Sequence, residues 1–158
     1  MLSRAENIEH GFATVANFFP GTKELAARLM EEIAAACVGV TDGRRAIVFD
    51  DQYITTGGQF YELMVGHDRF IADLRPLFYK IQGMPVGMSV HPYDMSALLI
   101  AREAGVELTD GLGGEVDGPL DVDTPMQWAG FANKALRERI EPVMTRVLRE
   151  WMSKARVN

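Results

Sequence analysis

The apolar positions of this chain fall into short blocks that switch between a helical and a strand-like period. In KELAARLMEEIAAACVGV, Leu25, Leu29, Ile33 and Cys37 recur at helical spacing with Ala26 and Met30 beside them, and Thr22 stands where an N-cap belongs. The run AIVF at 46–49 is short and wholly apolar, as a buried strand would be. Thr56-Gly57-Gly58 reads as a loop feeding a helix whose inner face carries Phe60, Leu63 and Met64, and RFIADL at 69–74 reads as the next strand. Residues 75–90 hold two prolines and two glycines and predict a long connection or an irregular hairpin. A helix over about 94–104, a strand over about 106–109, the turn-rich stretch GLGGEVDGPLDVDTPM and a strand WAGFA follow. Residues 1–20 are mixed and end in an apolar turn, Phe18-Phe19-Pro20-Gly21, and Asp42-Gly43 marks a further turn.

The strongest periodic signal is the last helix, which Asn133 caps. Leu136, Ile140, Val143, Met144, Val147, Leu148, Trp151 and Met152 fall on one stripe that belongs to a core or an interface. Pro142 lies inside it and predicts a kink or the start of a second helix. Strands alternating with helices predict an α/β architecture, a sheet covered by helices. No internal repeat or low-complexity linker divides residues 1–158, which read as a single domain.

Composition narrows the function classes. A net charge of −6 argues against a nucleic-acid binder, which needs a basic face to neutralise phosphates. It also means that a phosphorylated ligand would need cations to be held on an acidic protein. Arg44-Arg45 and the arginines of the last helix read as solvated surface. No apolar run approaches the roughly 20 residues of a membrane span. The stretch MLSRAENIEHGF has no apolar core of a secretory signal. Cys37, the single cysteine, reads as a buried core residue that demands no oxidising compartment, so a cytoplasmic setting is expected.

One stretch raises a chemical question. HPYDMSALLIAREAGVELTD, residues 91–110, places Asp94 directly ahead of an apolar helical run. A carboxylate there is a helix cap, or a metal ligand oriented by the helix start. The adjacent acids Asp50-Asp51 after a strand are a solvated turn or a site residue pair. His91 packs or touches substrate. His10 and His67 read as surface or loop residues. No Ser/His/Asp or Cys/His set stands at a recognisable spacing, and the glycines at 111–118 form no phosphate-binding or dinucleotide pattern.

The stretch and its flanks resemble the C-terminal half of the inositol monophosphatase superfamily of Mg²⁺-dependent, lithium-sensitive phosphatases. Tyr93-Asp94 stands for the family's aromatic-Asp pair, Glu103-Ala104-Gly105 for its helix end and Leu108-Thr109-Asp110 for the strand that follows. Gly57-Gly58-Gln59 resembles its Gly-Ser-Ala segment, Arg69-Phe70-Ile71-Ala72-Asp73 its next strand, and Phe131-Ala132-Asn133-Lys134-Ala135-Leu136 its approach to the last helix. The resemblance covers about residues 46–145. Val106 replaces a glycine and Tyr93 the commoner tryptophan. The family's Asp-Pro-x-Asp-Gly-Thr metal loop is not found in these 158 residues.

The resemblance implies a layered helix–sheet–helix domain with a mixed, mainly parallel sheet. It implies Mg²⁺-dependent hydrolysis of a small phosphate monoester such as an inositol, sugar or histidinol phosphate. Asp94 would be a metal ligand, and Gly57, Gly58, Gln59 and His91 would face substrate. The remaining ligands would come from an N-terminal half. The expected partners are a small phosphorylated metabolite and a second copy or that complementary half, with no nucleic acid and no membrane. A non-catalytic scaffold or oligomerisation domain derived from the same fold is the alternative.

Overall fold

The computed structural model describes residues 1–39, 44 and 46–155. The expected Asp42-Gly43 turn and Arg45 lie outside the described residues. In chain order the elements are β1 (Gly11–Val15), α1 (Lys23–Val38), β2 (Val48–Phe49), α2 (Thr56–Val65), β3 (Asp68–Asp73) and α3 (Arg75–Ile81). After them come a 3-10 turn (Pro92–Met95), α4 (Leu98–Glu103), β4 (Glu107–Thr109), β5 (Trp128–Phe131) and α5 (Lys134–Ala155).

The strands form one sheet in the order β2-β1-β3-β5-β4. β1 runs parallel to both β2 and β3; β5 runs against β3, and β4 runs against β5. Two reversals restore the direction, so only β5 opposes the other strands and the sheet is mixed and mainly parallel, as expected. Register divides the side chains between two faces, because Phe70 pairs with Phe131 and Ala72 with Ala129. That face, with Ala13 and Val15 of β1, is covered by α1 and α5, which also pack on each other. The stripe of α5 supplies Leu136, Ile140, Met144, Val147 and Leu148 to this core, and Cys37 of α1 is buried in it.

The opposite face carries Trp128 and Gly130 and receives α2, on which α4 packs. Phe60 of α2 lies on Trp128 with ring centroids 4.6 Å apart. A Cβ on Gly130 would stand 2.7 Å from Leu63, so the missing side chain is what lets α2 approach the sheet.

Four expectations are corrected. β1 arises from residues that read as mixed, because it is buried along most of its length and so shows no alternation. AIVF is not a buried strand: only Val48–Phe49 pair, and they form a half-exposed edge. Residues 75–81 are a helix rather than part of a loose connection; Pro76 sits in its first turn, where a missing N–H costs nothing. The helix expected over 94–104 is split into the 3-10 turn and α4. α5 continues through Pro142 as one helix, and Thr22 precedes α1 without a side-chain cap bond.

Candidate functional site

Strands β1, β2 and β3 point the same way, so the segments that leave them gather at one edge of the sheet. This is the edge where open α/β sheets carry their ligands. The start of α2 lies there because α2 connects β2 to β3. The approach to the 3-10 turn lies there as well, since Val90 bridges to Met126 just ahead of the antiparallel β5. α2 packs against that turn. The structure therefore brings Gly57, Gly58 and Gln59 to the same region as His91 and Asp94.

Asp94 is part-exposed, its side chain 32% accessible, and is not sealed in an apolar interior. Its Oδ2 accepts the His91 N–H at 2.9 Å, so the carboxylate caps its own turn. The cap and ligand readings are compatible, because one oxygen engaged by the backbone orients the group. The His91 ring stacks on Tyr93 at 5.6 Å and 6°, with Nδ1 3.8 Å from Asp94 Oδ2. His91 is thus packed and adjacent to the carboxylate at once.

At the start of α2, Thr55 Oγ1 accepts the Gly58 N–H at 3.1 Å. A Cβ on Gly58 would collide with the Tyr53 ring and Thr55, whereas one on Gly57 would meet nothing within 4 Å. Gly58 is therefore required by packing, and beside Gly57, in the first turn of α2, the space a side chain would take is open. Gln59 turns inward, is 1% exposed, and its Nε2 has no hydrogen-bond partner in the protein.

Two further polar groups occupy this edge. Thr14, buried at the end of β1, donates to Asp50 Oδ1, and Gln52 Nε2 donates both to Thr14 Oγ1 and, at 2.9 Å, to Asp50 Oδ1. Asp50 is thereby tied into the β1–β2 junction, while Asp51 belongs to a different group near Asp68. Asp73 and Arg75 form a buried ion pair of 2.7 and 2.8 Å, and Arg75 also donates to Met88 O and lies over Phe18 and Phe19. A buried cation so fully engaged has little capacity left for a phosphate. Sequence reading missed this pair, because Arg75 stood in a stretch taken for a connection.

Oxygen donors suit a hard cation such as Mg²⁺, which draws on a few carboxylates and fills the rest of its shell with water and phosphate. Asp94 carries a carboxylate of this kind. Among the described residues no group of three or more His, Cys, Asp or Glu side chains is arranged to hold a metal. The described residues do not by themselves make a Mg²⁺ site.

No family model matches the sequence, and no curated protein does. Solved structures do. An IMPase of Thermotoga maritima superposes with a TM-score of 0.58 at 14% identity, over 95% of this chain and 46% of that one. The extragenic suppressor protein SuhB of Bartonella henselae gives 0.55 at 18%, over 92% and 45%. SaIMPase-II with 2'AMP bound gives 0.52 at 15%, over 97% and 50%. The fold matches that of about half of an inositol monophosphatase. At these identities the likeness concerns the fold, and this chain spans about half the length of each of these three structures. Among the described residues no helix is long and apolar enough to cross a membrane.

Proposed function

We propose that this chain is the substrate-side half of a phosphomonoesterase of inositol monophosphatase fold, acting on a small phosphorylated metabolite such as an inositol, sugar or histidinol phosphate. The observation that supports this most is the meeting of two features at one sheet edge: the open helix start at Gly57 and the part-exposed carboxylate of Asp94. The first backbone N–H groups of a helix favour an anion, and Gly57 leaves room for one. Asp94 would offer one oxygen to Mg²⁺, and His91 beside it would contact substrate.

Bound Mg²⁺ would supply the positive charge and the activated water that phosphate ester hydrolysis needs. The other ligands belong to a complementary body, an N-terminal half or another chain. Within this chain the residues bind and orient, and none is assigned as general acid, general base or nucleophile.

The test has two readouts on the purified protein. With Mg²⁺, phosphate release from inositol, sugar and histidinol phosphates is measured beside the Mg²⁺-dependent rise in melting temperature. Loss of both in Asp94→Asn supports the reading. Turnover and metal stabilisation that survive Asp94→Asn end it.

A second reading, a scaffold that associates through its apolar surface, is favoured by the exposed Ile54, Tyr61, Leu99 and Ile100 on the α2–α4 layer. Self-association in sedimentation, with neither turnover nor Mg²⁺ stabilisation, would support it.

A further inference from the structure

Asp50 has no duty in the proposed function, yet its carboxylate is held in place. Buried Thr14, 2% exposed, donates to its Oδ1, and Gln52 Nε2 donates to the same oxygen at 2.9 Å and to Val15 O at 3.4 Å. Gln52 is fixed in turn, because its Oε1 accepts the Asn17 N–H at 3.3 Å. Both donors to Asp50 fall on one oxygen. Its Oδ2 accepts no bond from the described residues, and the Asn17 side chain makes none with them.

These groups border a cleft of about 300 Å³ between α1 and the edge of the sheet. α1 packs on β1, and β2, two residues long, stands beyond its cover. Ala13 and Val15 of β1 form the floor, and Ala26, Met30 and Ala34 of α1 form one wall. The two alanines of that wall leave space that larger side chains would fill. Asp50, Asn17 and the exposed Glu31 complete the lining, which holds no cationic side chain among the described residues. The cleft opens on the α1 side of the sheet and α2 covers the other, so Gly57 and Asp94 take no part in it.

We propose that this cleft binds a small primary ammonium compound with a short alkyl body, its charge on Asp50 Oδ2 and its chain along the alanine wall. The volume is at the lower end of the range for small-molecule sites. A recess whose charged groups are all carboxylates concentrates cations, and the net charge of −6 adds to that attraction. A carboxylate already fixed by two donors forms a charge-assisted bond without the cost of being ordered first. A hydrated metal ion would leave the apolar wall unused, and no group of three carboxylate, imidazole or thiol ligands meets it among the described residues. An anion would face Asp50 and Glu31 unscreened.

A nitrogen–proton correlation spectrum of the full chain, titrated with n-pentylammonium chloride at fixed ionic strength, tests this. Saturable shifts should centre on the amides of Ala26, Met30, Ala34 and Asp50. Affinity should rise about fourfold for each methylene from n-propyl- to n-pentylammonium, as burial of a CH₂ group requires. Asp50→Asn keeps an oxygen for Thr14 and Gln52; it should weaken n-pentylammonium about tenfold and leave the weaker binding of uncharged n-pentanol unchanged. Ala34→Leu fills the cleft and should abolish both. If Ala34→Leu does not fold, Glu31→Gln at the exposed rim takes its place and should weaken n-pentylammonium alone. The absence of saturable shifts in wild type, equal shifts from ammonium chloride, no dependence on alkyl length, or full affinity in Asp50→Asn overturns the proposal.

Discussion

Gly66 ends α2 with φ of 83°, and the position its Cβ would take lies 2.6 Å from Met1 O and 3.0 Å from Ser3 N. Gly66→Ala therefore meets both a left-handed backbone and a backbone wall. It should lose at least ~1–2 kcal/mol in urea unfolding. Asn133 is a second residue with two duties. Its Oδ1 accepts the Leu136 N–H at 3.0 Å, and its Nδ2 donates to Ser3 O at 2.8 Å and Ala5 O at 2.9 Å. Asn133→Asp keeps the cap and loses both donors, whereas Asn133→Ala loses everything. Asn133→Ala should cost about 1–2 kcal/mol for the cap alone, and the difference between the two variants measures the tie to the N-terminal segment. The cap was legible in the sequence because its partner is three residues away. The tie was not, because its partners are some 130 residues distant. Cys37 was also legible. Burial pushes its thiol up, with Arg139 opposing, so it should stay unreactive toward a thiol reagent at pH 8 until denaturant is added.

Among the elements, α1 and α5 could be read from their one-sided burial and β3 and β5 as short apolar runs, whereas β1 and α3, buried almost throughout, could not. α1 and α5 keep polar outer faces, so their stripes are visible as a period. β1 and α3 have almost no outer face: Gly11, Ala13, Thr14 and Val15 are buried, as is every residue from Arg75 to Tyr79. α3 starts on the Asp73–Arg75 pair, whose carboxylate and guanidinium are both buried. Removing one partner leaves the other as an uncompensated buried charge, so Arg75→Met should cost about 3–5 kcal/mol. Asp73→Asn combined with Arg75→Met should recover much of that loss in a double-mutant cycle of denaturant midpoints. If the single change proves as mild as the double, the pair does not set the start of α3. The candidate site divides along the same line. Asp94 and the Gly57 start were legible because turn chemistry announces them. The Thr14–Asp50–Gln52 network was not, because it joins two strands 36–38 residues apart in sequence.

For the molecule as a whole, the two sides of the sheet are covered unequally. α1 and α5 present Glu, Arg and Lys to water, with exposed pairs such as Arg146–Glu150 and Lys134–Glu138. The α2–α4 layer instead leaves Leu99 67% and Ile100 62% exposed, with Ile54 and Tyr61 also outward. Side chains this open add little to the folding of the chain, since the surface they would bury is still in water. Leu99→Lys combined with Ile100→Lys should therefore leave the unfolding free energy within about 0.5 kcal/mol of wild type. The same change should sharply reduce the binding of a hydrophobic dye. It also separates the two functional readings. If the chain self-associates through this layer, the double variant sediments as a monomer where wild type does not, and the scaffold reading gains. If both sediment alike and only dye binding falls, this face does not mediate contact between copies. A loss of several kcal/mol in the variant would instead place both side chains in the core, contrary to the arrangement of α4 on this face.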